Sequence, residues 1–174
     1  MVENTITVTG ASTESFESDI AKWSVQVKTS GKTQIDSFTK HKQSINKTME
    51  FLKANGIEDS VKQDVYNIQK THSQITELLG KGVRVKPSRP EFTYSKLSDK
   101  RVDMLAKAAK DARVRAEAIA LQAGSEVGGL KRVNTGVFQI TVPNSTKVSS
   151  WGSYDTTTIK KDITAVMGVT FAVK

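Results

Sequence analysis

The residues that could do chemistry in this chain are few and scattered. His41 sits between Lys40 and Lys42, and His72 lies in the run THSQ. Neither has a second histidine or a carboxylate at ligand spacing, whereas a zinc site or a nucleophilic triad needs such groups to converge. There is no cysteine, which removes thiol catalysis, cysteine metal sites and disulfides together. Glu14, Glu17 and Asp19 cluster before a strand-like stretch. Calcium asks for oxygen ligands at closer, regular spacing around a tight glycine turn, so these acids read as a solvated loop. The run GSEVGG at Gly124–Gly129 has the glycines of a dinucleotide loop, but it follows a helix and opens none, so the phosphate-cradling helix start is missing. No catalytic residue, cofactor or metal ligand is expected, and the chain reads as a non-enzyme.

Two features suit binding better. The formal net charge is +8, and Lys96, Lys100, Arg101, Lys110, Arg113, Arg115, Lys131 and Arg132 flank or decorate one long helical segment. They could meet anionic lipid headgroups or nucleic acid, or form a solvated face paired with Asp99, Asp103, Asp111 and Glu117. No aromatics are interleaved for base stacking, which disfavours nucleic acid. The second feature is Trp151 with Tyr154 in a loop of Ser, Thr and Gly. Two aromatics are costly to leave in water. Either they fold back on the core or they seat in a neighbouring subunit, where Trp and Tyr are favoured anchors.

The elements that must position these residues follow from periodicity. From Ser98 to Gly124, Val102, Leu105, Ala109, Ala112, Ala116, Ile119 and Ala123 recur at steps of three and four, which predicts one helix with an alanine-rich stripe. A sheet or a partner helix could come close to it, so Ala109, Ala112 and Ala116 are candidate contact residues. Asp103, Lys107, Asp111 and Arg115 follow each other at four-residue steps and give ion pairs on the other face. Ser98 is the expected N-cap and Gly124 the left-handed C-cap residue.

Before that helix, Thr5–Thr9 predicts a strand ending at Gly10, with Ala11–Ser18 a turn or loop. Ala21–Lys28 alternates, Trp23, Val25 and Val27 facing inward. A helix over Thr33–Asn55 carries Ile35, Phe38, Ile45, Met49 and Leu52 on its apolar face, with Thr33 and Asp36 at the start and Asn55-Gly56 at the stop. Ile57 is placed to fold back on its last turn. Val61–Ile68 reads as a strand, Thr71–Lys81 as a short helix, Pro87 and Pro90 as a bend, and Glu91–Ser95 as a strand. After the long helix come a flexible joint at Gly128-Gly129, a strand over Gly136–Val142 stopped by Pro143, and a polar loop over 144–158. A last strand, Ile163–Val173, alternates with a less polar second face and is expected to be central or buried on both sides. Strands and helices do not alternate strictly, so an α+β fold is expected, a largely antiparallel sheet packed against two long helices and a short one.

A chain of 174 residues can bury one sizeable core, or two small lobes sharing one. No run approaches the roughly eighteen apolar residues of a membrane span. Met1 leads directly into strand-like ITVTG, which suits a cytosolic protein or a chain trimmed of a leader or anchor.

These residues also carry a family resemblance. ITVTG, SDIAKWSVQV and a helix ending FLKANGI resemble the opening of the SIMPL domain family of bacterial envelope proteins. FTYSKL, then KAAKDARVRAEAIALQAGSEVGGLKRV, is similar to the family's most recognisable block: a strand, a helix with repeated A-x-x-A-x-x-R-A, then G-x-x-x-G. GVFQITVPNS, WGSYDT and DITAVMGVTFAV resemble the end of one bacterial branch. The resemblance spans nearly the whole chain and implies a single SIMPL domain over 1–174. It implies an extracytoplasmic location, often with a signal or anchor, ring-like homo-oligomers in some members, an association with oxidative-stress tolerance, and no known catalytic residues. An anionic membrane surface or an envelope protein is the other partner expected. Family members usually carry a further strand and the start of a helix between the equivalents of His72 and Gln74. Here THSQITELLGKG runs straight on, so that segment is either lost or missing from the chain.

Overall fold

The computed structural model describes residues 4–58 and 64–174. In chain order they form β1 (Thr5–Glu17), β2 (Ile20–Lys22), β3 (Val25–Lys28), α1 (Gln34–Ala54), α2 (Val65–Gln74), α3 (Glu77–Gly80), β4 (Arg84–Pro87), β5 (Glu91–Thr93), α4 (Leu97–Gln122), β6 (Val127–Thr135), β7 (Gln139–Thr141), β8 (Ser153–Tyr154) and β9 (Lys160–Val173). This is a mixed α+β fold with four helices among the described residues. The strands form three sheets rather than one. The chain divides into two compact units. One comprises the chain up to Glu17, Lys96–Asp155 and Lys160–Lys174; the other comprises Ser18–Ser95 and Thr156–Ile159.

The first unit is a five-stranded sheet covered on one face by α4. β9 is its central strand, as its alternation predicts. β1 runs antiparallel along it from Thr5 opposite Ala172 to Glu17 opposite Lys160. β6 and β7 share its other side, both antiparallel, and β8 pairs with β7 in parallel. Ile163, Ala165, Met167, Val169 and Phe171 are buried on the helix side. The opposite face is polar: Thr7 and Thr13 bond to Thr170 and Thr164, and the Ser15 hydroxyl donates to Asp162 at 2.6 Å. One packed face and one wet face is the ordinary state of an antiparallel sheet.

Gly10 does not end β1. The strand continues to Glu17, so the loop expected over Ala11–Ser18 is largely strand. The glycine is there because α4 crosses at that point. A Cβ on Gly10 would press on the Ala108 carbonyl oxygen and lie 2.6 Å from the Ala112 nitrogen and 2.7 Å from its Cβ. The side of α4 that makes this approach is Met104, Ala108, Ala112, Ala116 and Ala120, a strict four-residue ridge. The expected stripe is therefore rotated: Ala112 and Ala116 belong to it, but Ala109 is exposed, and Val102 and Ile119 face outward. Alanines occupy several sides of this helix, so spacing alone does not choose between the ridges. The start also differs. Lys96 rather than Ser98 is the N-cap and makes no side-chain cap bond. The end is as expected, a Schellman pair: Gly124 N–H donates to Leu121 O and Ser125 N–H to Ala120 O.

Gly128-Gly129 is not a joint but the start of β6. The register of β6 on β9 shifts twice, between Val127 and Leu130 and between Leu130 and Arg132. These bulges bring residues three apart, Val127, Leu130 and Val133, opposite Val173, Phe171 and Val169 on the helix side of the sheet.

In the second unit, α1 has the predicted caps. The Thr33 hydroxyl accepts from Asp36 N–H at 3.1 Å, and Gly56 and Ile57 N–H groups return to Lys53 and Leu52. Its inner end, with Phe51 and Leu52, packs against Ile75, Leu78 and Val83 and the half-buried Trp23, Val25 and Val27. Its outer end does not pack: Ile35 and Phe38 are 80% and 71% exposed. The alternation over Ala21–Lys28 holds, split into β2 and β3, which pair with β5 and β4. Residues 61–63 of the strand expected over Val61–Ile68 lie outside the described residues. The rest is helix, the first turn of α2, capped by Asp64 accepting from Tyr66 N–H at 3.0 Å. His72, Ser73 and Gln74 form the last turn of α2, so the helix expected over Thr71–Lys81 is divided between α2 and α3.

Gly10→Ala is expected to lower the free energy of unfolding by about 3 kcal/mol, the upper part of the overpacking range, because helix backbone cannot swing aside. Urea unfolding measures it. An unchanged midpoint would mean that α4 lifts off β1 without cost.

Candidate functional site

Trp151 stands at the tip of a tight turn and is 93% exposed. Folding back on the core, one of its two expected fates, does not occur. The turn is closed by Gly152 N–H donating to Ser149 O at 3.1 Å. Gly152 has φ +84°, and a Cβ there would lie 2.9 Å from the Phe138 carbonyl oxygen, so the position needs glycine. The buried Gln139 side chain clamps both sides of the turn. Its Nε2 donates to Ser149 O at 2.6 Å, and its Oε1 accepts from Ser149 N–H at 3.1 Å and from the Ser153 hydroxyl at 2.9 Å. The exposed Trp151 is thus held by a polar bracket. Val137 and Tyr154 line a hollow with it, and Val148 is 83% exposed on the same loop. Spacing reveals the two aromatics but not Gln139, whose only signal is a polar residue inside the apolar run GVFQITV.

The basic residues do not form one face. Lys100 and Lys107 both hold Glu14 on β1. Arg115 Nε donates to Asp111 at 2.8 Å, and the same carboxylate oxygen accepts from Ala11 N–H at 2.8 Å. Arg113 pairs with Glu117 at 2.8 Å and lies 5.7 Å from the centre of the Phe171 ring. Arg101 lies over Phe138 at 5.6 Å. Arg132 sits opposite Thr170, on the sheet face away from α4, and Lys131 has partners of its own. Lys110 stays on the outer side of α4. Lys100, Lys107, Arg113 and Arg115 are spent on fastening the helix to β1 and to its own acids.

The other candidates have structural roles. Ala112 and Ala116 expose nothing, so they cannot meet a partner. The acidic cluster disperses: Glu17 lies 3.7 Å from Lys160, and Asp19 accepts from the Ser95 N–H at 2.7 Å and hydroxyl at 2.5 Å. His41 is exposed on α1. His72 packs edge-on to Trp23 with ring centres 5.7 Å apart. Among the described residues no group of three or more His, Cys, Asp or Glu is placed to hold a metal ion. Lys161 is a charged core residue that composition does not reveal. It is fully buried and 3.2 Å from Asp155, and burial lowers its ammonium pKa against the opposing pull of Asp155. Its signal is phase, because it alternates with Ile163, Ala165 and Met167.

Glu14 is held below the usual carboxylate range, first by its bond to Lys100 and then by Lys107. Asp111 is held down by the Ala11 N–H and then by Arg115. A depressed folded-state value means the stabilisation is present above the unfolded-state pKa and is lost as pH falls through the folded one. The thermal unfolding midpoint is therefore expected to drop as pH falls from about 5 to about 3, and to drop less in Glu14→Gln. Equal slopes for the two proteins would mean that the Glu14 pairs contribute nothing.

No helix of the described residues is long and apolar enough to cross a membrane. A search of the curated proteins finds no match. A family model does match: SIMPL, described as a protein of unknown function (DUF541), over residues 6–171. Among the described residues that span reaches from β1 to β9 and leaves out only the first residue of β1 and the last two of β9. The chain belongs to the SIMPL family.

Proposed function

We propose that this chain is a non-catalytic, extracytoplasmic module that self-associates into a scaffold, with Trp151 as the anchor of the contact. The observation that carries the reading is the bracketed turn, which presents a 93% exposed indole on fixed backbone. Exposed tryptophans on preorganised backbone are what interface hot spots are made of, because little entropy is lost when they dock. A second unpartnered apolar feature supports it. Ile35, Phe38 and Ile45 on α1 are 80%, 71% and 38% exposed and fall at the spacing of a helix that lies against another surface. Two different patches on one chain favour a heterologous, head-to-tail contact, which closes into rings or extends into filaments. Any part in stress tolerance would then be a property of the assembly. Binding to an anionic membrane through the basic helix face is the weaker reading, since Lys100, Arg113 and Arg115 are already paired.

Sedimentation velocity over a range of protein and salt concentrations tests the first reading. Assembly is expected to persist in salt. Trp151→Ala is expected to weaken it about thirtyfold, the effect of losing a hot spot of roughly 2 kcal/mol, with the circular dichroism spectrum unchanged. A species of 19.0 kDa at every concentration would overturn it. So would an assembly indifferent to Trp151→Ala.

A further inference from the structure

The position of α4 leaves a groove. The helix is drawn onto β1 and β9 by the approach at Gly10, and it covers little of β6. The two bulges nevertheless turn Leu130 and Val133 to the helix side of the sheet, where they remain 59% and 43% exposed. Between them and the outer side of α4 lies a space of about 500 Å³, within the roughly 300–1,000 Å³ typical of ligand sites. Its floor is Met167, Val169 and Phe171, and its helix wall is Ala109 and Val114. Ala109 keeps the groove open where a larger side chain would fill it. The charged groups along it are Lys110, Arg113 and Glu117. Arg113 and Glu117 neutralise each other at 2.8 Å, which leaves the Lys110 ammonium in excess.

We infer that this groove binds a long-chain fatty acid, the alkyl chain lying between α4 and β6 and the carboxylate meeting Lys110. An apolar trough with one uncompensated cation matches a linear hydrocarbon with one anionic end. The apolar walls supply the affinity, and Lys110 sets the direction in which the chain lies. The site is distinct from the Trp151 turn and does not depend on self-association.

Fluorescence titration of the full chain with cis-parinaric acid tests this. Saturable enhancement is expected. Leu130→Asp and Ala109→Phe, both at exposed positions, are expected to abolish it, and Trp151→Ala to leave it unchanged. Lys110→Glu is expected to weaken the acid about threefold, as for a surface ion pair, and to leave competition by the corresponding fatty alcohol unaltered. Circular dichroism establishes that each variant is folded. No saturable enhancement would overturn the inference. Loss in Trp151→Ala as large as in Leu130→Asp, or equal weakening of acid and alcohol by Lys110→Glu, would also overturn it.

Discussion

Where β1 crosses α4 there is room for a hydrogen atom and nothing larger. That approach, Gly10 against the backbone and methyl groups of Ala108 and Ala112, fixes the height of the helix above the sheet and its rotation about its own axis. Polar fasteners then run along the same line: the Ser12 hydroxyl to Met104 O at 2.8 Å, Ala11 N–H to Asp111, and Glu14 to Lys100 and Lys107. The bond from Ala11 also occupies a main-chain donor that an edge strand would otherwise offer to another chain. Small residues thus give proximity, and charged residues give direction along the strand.

A helix held tightly to one side of a sheet leaves the other side thinly covered. The groove and the Trp151 turn, the two surfaces of the first unit with an argued role, lie outside the line of close contact. The groove borders β6, and the Trp151 turn sits on the loop after β7. Each depends on a local irregularity that ordinary strand geometry would not provide. Two bulges re-aim Leu130 and Val133, and Gln139 with Gly152 closes the turn under Trp151. Lys161 beside this region shows the cost side of the same design. The buried ammonium lies 3.2 Å from Asp155, and that opposite charge offsets part of the cost of removing it from water.

How much of this was legible depended on whether the cause was local. The caps of α1 are chemistry among neighbours in the chain, so Thr33, Asp36 and Asn55-Gly56 delimit the helix correctly. The alternation of β9 likewise marks its buried face, and the four-residue charge spacing marks the ion pairs of α4. The family was legible too, because its motifs run the length of the chain. The misreadings have tertiary causes. Gly10 looks like a stop until the crossing helix is seen. Gly128-Gly129 looks like a joint because bulges break the two-residue period. The alanine stripe is legible only at Ala112 and Ala116, because alanine marks closeness without marking which side is close. The candidate surface was half legible: Trp151 stands out as a loop aromatic, but the bracket that keeps it exposed comes from a strand ten or more residues away.

The most direct measurement is the set of nuclear Overhauser contacts from alanine methyl groups in α4 to the α-protons of Gly10. The Ala112 methyl is expected to give a contact with Gly10, and the Ala109 methyl none, its signal instead broadening with a soluble paramagnetic probe. A contact from Ala109 to Gly10, with Ala112 shielded from it, would mean that α4 turns a different ridge, the one through Ala109, toward β1. The helix would then be rotated, and the groove beside β6 would not exist in the form described.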